Sequence, residues 1–143
     1  PERRGAPVLA FNRFDSKPIY VRYSVYKPDV VVVLDESLLS SINVLDGLKP
    51  EGLLILNTRK GLSEVKEELK TRSRVAVVNA TKIALEILRV PIVNTAMVGA
   101  FVKAVNVVNL ESAVKAVKER FKGKMGEANA EALRKAYDST VVR

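Results

Sequence analysis

The sequence predicts an α/β fold with three layers, in which helices cover both faces of a mixed, mainly parallel sheet with a β-hairpin at its edge. Short apolar runs alternate with stretches of helical periodicity, the order that builds a parallel sheet. The run at residues 30–34 is apolar on both faces, as in a strand covered from two sides. The length of 143 residues suits one domain, residues 1–143.

The edge hairpin is predicted from residues 8–14 and 19–26, with a turn at Asp15 and Pro18 between them. In the second segment Tyr20 and Arg22 alternate with Ile19 and Val21, the period of a half-exposed antiparallel strand.

Three strand–helix pairs follow. Strands are predicted at 30–34, 53–56 and 75–78, and the helices after them begin near Ser37, Ser63 and Thr81. Thr95 opens a helix that is apolar all round through Val102, so it must be buried in this domain or against a partner. An amphipathic helix at 110–121 and a last helix after Gly123 complete the chain.

Composition excludes several classes of site. The 143 residues include neither cysteine nor histidine, which excludes zinc fingers, thiolate-bound iron–sulfur clusters and His-dependent nucleophile systems. We therefore predict no catalytic residue and no metal ligand in this chain. Tryptophan and glutamine are absent as well, a composition like that of thermophile proteins. No apolar run reaches the roughly 18 residues that span a bilayer, so we expect a soluble protein.

The net charge is +8, and +7 of it lies in residues 72–143. Such a surplus can attract nucleic acid, a phosphate-bearing coenzyme or an acidic protein, or can simply keep the surface solvated. The lysines at 103–124 have no interleaved aromatic side chains and no nucleic-acid-binding motif. A basic α/β module for nucleotide or nucleic acid is the alternative, whereas a nicotinamide dehydrogenase is disfavoured because its glycine fingerprint is missing.

Polar residues stand where the predicted strands end and the next segments begin. In open α/β sheets, ligands bind in the crevice outside those ends, although helix capping explains each residue individually. Together they mark the edge of a possible site. They are Asn57, Thr58, Asn79, Thr81, Asn94 and Thr95.

The first residues offer a different candidate. Arg3 and Arg4 precede Gly5, so two guanidinium groups could hold a phosphate or carboxylate and the glycine would allow close approach of the backbone. A solvated terminus is the alternative. The sequence has no glycine-rich phosphate loop.

The motifs Glu-Arg-Arg-Gly-Ala-Pro at 2–7, Ala-Phe-Asn-Arg at 10–13 and Tyr-Lys-Pro-Asp-Val-Val-Val at 26–32 resemble the γ subunit of 2-oxoacid:ferredoxin oxidoreductases. Leu-Ile-Leu-Asn-Thr at 54–58 and Val-Asn-Thr-Ala-Met-Val-Gly-Ala at 93–100 agree with the family's order. Family members normally begin with a strand, a glycine-rich loop and a helix before the first motif. The resemblance therefore implies that residues 1–143 are a γ-type domain truncated at its N-terminus.

The resemblance also implies a function. Enzymes of the family oxidatively decarboxylate a 2-oxoacid with coenzyme A and yield acyl-CoA, CO2 and reduced ferredoxin. The resemblance is to the pyruvate and 2-ketoisovalerate enzymes, and pyruvate is the expected substrate. Thiamine diphosphate, Mg²⁺ and iron–sulfur clusters would lie on α, β and δ-type partner subunits, with ferredoxin reached through the complex. The γ subunit would be cytoplasmic, inactive alone, and bound to neither membrane nor nucleic acid. Its expected coenzyme A contacts are Arg3, Arg4 and Gly5, with Asn94 and Thr95 as second choices.

Overall fold

The computed structural model describes residues 6–143. It contains a sheet with the order β1-β2-β3-β4, in which β1, β2 and β3 are parallel and β4 runs antiparallel to β3. The strands are β1 (Val30–Val33), β2 (Leu53–Asn57), β3 (Arg74–Val78) and β4 (Val141–Val142).

The helices follow the predicted order. A 3₁₀ turn at Glu36–Ser40 follows β1. The α-helices are α1 (Leu62–Leu69), α2 (Ala80–Leu88), α3 (Asn94–Val105), α4 (Leu110–Arg120) and α5 (Gly123–Ser139). Within residues 6–143, none of these helices has the length and apolar character needed to cross a membrane.

Both faces of β2 are apolar and buried, and each face packs against helices. Leu54 and Leu56 lie in a cluster with Val65 of α1 and with side chains of the 3₁₀ turn. Leu53 and Ile55 lie in a second cluster with residues of α2, α3 and α5. Because side chains alternate across a strand, an unbroken apolar run fills two layers at once. The three-layer α/β/α fold with a mainly parallel sheet is confirmed.

Helix α3 lies in the core. Ala96, Met97 and Ala100 are buried in the second cluster, and Val102 is buried against α4 and α5. Within this helix Val98 is the most exposed apolar residue, at 44%. The apolar helix predicted from Thr95 is therefore mainly core.

The predicted edge hairpin is wrong. No strand forms at residues 8–14 or 19–26. The two limbs are instead joined by a side chain: the Arg13 guanidinium donates to Ser24 O at 3.3 Å and lies 5.4 Å from the Tyr23 ring. Most side chains of both limbs are exposed, so strand pairing would not bury an apolar face, and an isolated two-stranded ladder is marginal in water. The edge strand next to β3 is instead β4. This strand has only two residues, too few to show a strand pattern in the sequence.

Candidate functional site

The carboxyl ends of the three parallel strands meet at one edge of the sheet and form a crevice of about 420 Å³. Parallel strands bring the residues that follow them to the same edge, and ligands of open α/β sheets bind there. Four of the predicted strand-end residues lie together in the wall of this crevice. Two stand at the end of β2 and two at the start of α2: Asn57, Thr58, Asn79 and Thr81. The lining residues are Leu34, Asp35, Glu36, Asn57, Thr58, Arg59, Asn79, Thr81, Pro91 and Val93.

Asn57 forms the floor of the crevice and is 6% exposed. Its Nδ2 donates to Leu34 O and to Thr81 Oγ1, both at 2.9 Å, and its Oδ1 accepts from Thr81 N at 3.2 Å. One amide thus links the ends of β1 and β2 to the first turn of α2. Because both amide donors are used, Asn57 has no hydrogen bond left to donate to a ligand.

The crevice residues Thr58 and Glu36 connect to two ion pairs beside the crevice. Thr58 Oγ1 donates to Glu36 Oε2 at 2.7 Å, and Lys60 Nζ lies 3.2 Å from Glu36 Oε1 and 2.7 Å from Glu68 Oε2. The Thr58 hydroxyl, and then Lys60, hold the pKa of Glu36 below its ordinary value against the opposing effect of burial. Glu68 and Glu36 in turn raise the pKa of Lys60. Two carboxylates therefore share one ammonium group beside the crevice.

Two crevice residues are helix caps. Asp35 Oδ1 accepts from Ser37 N at 2.9 Å, which lowers the pKa of the Asp35 carboxyl. Asn79 Oδ1 accepts from Lys82 N at 3.0 Å at the start of α2. For Asn79, the capping interpretation of the sequence is confirmed.

Arg59 is exposed at the crevice rim, and among residues 6–143 no carboxylate lies within ion-pair distance of it. Its guanidinium is thus available to an anionic ligand. Neither Arg59 nor Glu36 is among the candidate residues predicted from the sequence. Only their positions in the sequence could have indicated them: Glu36 lies shortly after β1, and Arg59 lies shortly after β2.

Asn94 and Thr95, the second-choice residues for contact with coenzyme A, differ in exposure. Asn94, the first residue of α3, is exposed, and its Oδ1 accepts from Thr95 N at 2.9 Å. Thr95 is buried and donates from Oγ1 to Asn129 Oδ1 on α5 at 2.9 Å. Their neighbour Val93 lines the crevice, whereas Asn94 and Thr95 are not in its wall. The first-choice residues, Arg3, Arg4 and Gly5, lie outside the described residues.

Within the described part of the chain, the crevice wall presents polar side chains and the exposed guanidinium of Arg59. Within residues 6–143 no group of three or more acidic side chains is placed to hold a metal ion, and the sequence has no histidine or cysteine to complete one.

Comparison with known proteins gives a consistent result. A family model described as pyruvate ferredoxin/flavodoxin oxidoreductase matches residues 1–139. The chain is 54% identical over 142 residues to the pyruvate/ketoisovalerate oxidoreductases common subunit gamma of Pyrococcus furiosus, covering 99% of this chain and 77% of that one. It is 50% identical over 137 residues to the pyruvate synthase subunit PorC of Methanocaldococcus jannaschii, covering 96% and 74%.

A solved structure agrees with the sequence relatives. The pyruvate oxidoreductase subunit PORC of Thermotoga maritima matches with a TM-score of 0.75 and 37% identity, over 82% of this chain and 66% of that one. The chain thus spans about three quarters of the curated relatives' length and just under two thirds of the solved chain. With nearly its whole length matched, the chain belongs to the pyruvate ferredoxin/flavodoxin oxidoreductase family and is similar there to the γ, or PorC, subunits.

Proposed function

We propose that this chain is the γ-type subunit of a multi-subunit 2-oxoacid:ferredoxin oxidoreductase. The assembly cleaves a 2-oxoacid, pyruvate in the first instance, joins the acyl group to the thiol of coenzyme A, releases CO2 and passes two electrons to ferredoxin. The observation that carries the proposal is the 54% identity over 142 residues to a common γ subunit.

Apart from the coenzyme A contact proposed below, the chain's own role in this proposal is structural. Thiamine diphosphate, when bound, supplies the carbanion stabilisation that decarboxylation needs, and we place it, with Mg²⁺ and the iron–sulfur clusters, on α, β and δ-type partner subunits. Two observations support this division of labour. The sequence has no thiolate for a cluster, and the described crevice is built from caps and ion pairs that hold the fold together.

Reconstitution tests the proposal. Reduction of ferredoxin or a dye, dependent on both 2-oxoacid and coenzyme A, is expected when this chain is combined with its partner subunits and not with the chain alone. Adding the chain to partners that lack a γ subunit should restore turnover. Turnover by the chain alone, or partner subunits that work equally well without it, would contradict the proposal.

We further propose that Arg3 and Arg4 contact the phosphates of coenzyme A, with Gly5 allowing close backbone approach. Guanidinium groups suit this role because they bind phosphate oxygens bidentately. Asn94 is the second contact, since its exposed position at the N-terminus of α3 favours an anion. Thr95 positions Asn94 through its buried bond to Asn129.

Replacing Arg3 and Arg4 with alanine in the assembled enzyme should raise the KM for coenzyme A by about ten-fold or more, because each charge-assisted hydrogen bond contributes roughly 1.5–3 kcal/mol. The KM for the 2-oxoacid should change little. Steady-state kinetics with each substrate varied in turn measures both values.

The matched control removes two arginines from another part of the sequence: Arg72→Ala with Arg74→Ala, two exposed residues at the start of β3, the end of that strand away from the crevice. This variant should leave both KM values unchanged. If the Arg3/Arg4 variant keeps the normal KM for coenzyme A, the two arginines have a structural or interface role instead.

A further inference from the structure

The start of α3 is joined to α5 by a buried hydrogen bond between two side chains. Thr95 Oγ1 donates to Asn129 Oδ1 at 2.9 Å, and the two residues are only 5% and 7% exposed. Asn129 Nδ2 donates in turn to Met125 O at 2.9 Å, one turn earlier in α5. Both polar atoms of the Asn129 amide therefore have partners, and this side chain is held in one orientation.

Stability alone does not require polar groups at this position. A buried hydroxyl and a buried amide recover by hydrogen bonding what they lose by leaving water, whereas an apolar pair of the same shape can be equally stable. What a fully bonded pair adds is one defined position of the two helices relative to each other. The bond between Thr95 and Asn129 therefore fixes geometry in addition to filling the core.

A second contact lies one turn further along both helices. Gly99 follows Thr95 by four residues, and Leu133 follows Asn129 by four residues. The two backbones approach closely there, since a Cβ at Gly99 would overlap Leu133 O. Residues four apart lie on the same face of a helix, so the two contacts together prevent α3 from sliding or rotating against α5.

The fixed start of α3 determines how Asn94 presents its side chain. Asn94 Oδ1 accepts from Thr95 N at 2.9 Å, so the oxygen of this amide faces the backbone. The Nδ2 group of the same planar amide then faces away from that N–H. Because Nδ2 carries two donors and is not an acceptor, Asn94 in this orientation suits an acceptor such as a phosphate oxygen.

We propose that Asn129 is a positioning residue for coenzyme A binding: through Thr95 it holds Asn94 so that Asn94 Nδ2 donates to a phosphate oxygen of the coenzyme. This rests on the proposed function, in which Asn94 is a coenzyme A contact. Asn129 is buried on α5 and acts through Thr95 rather than on the coenzyme itself.

The test separates positioning from stability in the assembled enzyme. Thr95→Val or Asn129→Leu alone leaves a buried polar group unpaired and should lower the melting temperature. The double variant Thr95→Val with Asn129→Leu leaves neither partner unpaired, so its melting temperature should return toward that of the unmodified enzyme. Its KM for coenzyme A should stay raised by about three- to ten-fold, the range for one neutral hydrogen bond, with kcat and the KM for the 2-oxoacid unchanged.

Two further variants are controls. Thr95→Ser keeps the hydroxyl and should keep the normal KM for coenzyme A. Thr140→Val removes a different buried threonine bond, from Thr140 Oγ1 to Ala136 O at 2.6 Å. Thr140 follows the last residue of α5 and lies eleven residues after Asn129, so this variant should also keep the normal KM for coenzyme A.

Asn94→Asp tests the direction of the proposed hydrogen bond. One carboxylate oxygen can still accept from Thr95 N, but the other oxygen replaces the donor with an acceptor. The KM for coenzyme A should therefore rise by about ten-fold or more, because a lost hydrogen bond is joined by repulsion between like charges. A normal KM in this variant contradicts the Asn94 contact of the proposed function, and the Asn129 proposal fails with it.

The remaining outcomes concern Asn129 alone. If Asn94→Asp raises the KM for coenzyme A and the Thr95/Asn129 double variant does not, the Asn94 contact stands and the Asn129 proposal is overturned. A KM that rises only in variants with a lowered melting temperature also overturns it, because the bond would then serve stability alone. So does an equal rise in Thr140→Val, since any buried bond of α5 would then have the same effect.

Discussion

Shortening Leu54 to alanine should lower the free energy of unfolding by about 2–5 kcal/mol. Leu54 is 0% exposed in β2, and β2 is flanked by β1 and β3 on either side. Its side chain packs in the cluster that contains Val33, Val65 and Val75. Because a strand with neighbours on both edges has little freedom to move, the surroundings cannot close the cavity, and the full cost of lost contacts remains.

Urea unfolding followed by circular dichroism measures this loss. Leu85→Ala is the matched control, because it removes the same atoms from a side chain of α2 that is 46% exposed; we expect a change below about 1 kcal/mol there. A Leu54→Ala loss no greater than that of Leu85→Ala would mean that β2 is not the centre of the core.

Gly99→Ala should destabilise the protein by about 1–3 kcal/mol or more. A methyl group at this position of α3 would overlap the carbonyl oxygen of Leu133 on α5 and lie 3.2 Å from the Ala136 Cβ. In an ordinary helix, replacing glycine with alanine gains up to about 1 kcal/mol. Here the nearest atom belongs to a backbone, which cannot rotate aside, so α3 and α5 would have to separate.

Gly61→Ala is the control for Gly99→Ala. Among residues 6–143, no atom other than those of its chain neighbours lies within 4 Å of the added methyl at Gly61, and the residue caps α1 with φ of −71°. The loss should stay within about 1 kcal/mol, the size of a cap preference. Thermal unfolding of the two variants side by side gives the difference, and equal melting temperatures would show that α3 and α5 are not closely packed.

Much of the sheet could be predicted because its signals are local. The apolar run that becomes β1 is bounded by Asp29 and Asp35, and Asn79 caps α2 with its own side chain. Such features depend on neighbours in sequence. The polar strand ends could also be placed at one edge, because parallel strands bring their carboxyl ends to the same edge of the sheet.

The remaining features depend on contacts that sequence periodicity does not encode. The segment at residues 19–26 alternates like a strand, but strand formation needs a paired neighbour and a face to bury. Thr95 reads as an exposed cap, whereas its hydroxyl bonds to Asn129, 34 residues away. The three bonds of Asn57 likewise depend on where Leu34 and Thr81 meet in the fold.

The Asn57 amide would set the thermodynamic character of any binding in the crevice. Its three bonds already fix the strand ends and the first turn of α2 in place, so a ligand that settles there does not have to order the floor beneath it. The conformational cost of association then falls mainly on exposed groups such as Arg59, which must give up side-chain freedom. The affinity of any ligand in this crevice should therefore respond more to changes at its exposed rim than to changes of equal size at its base.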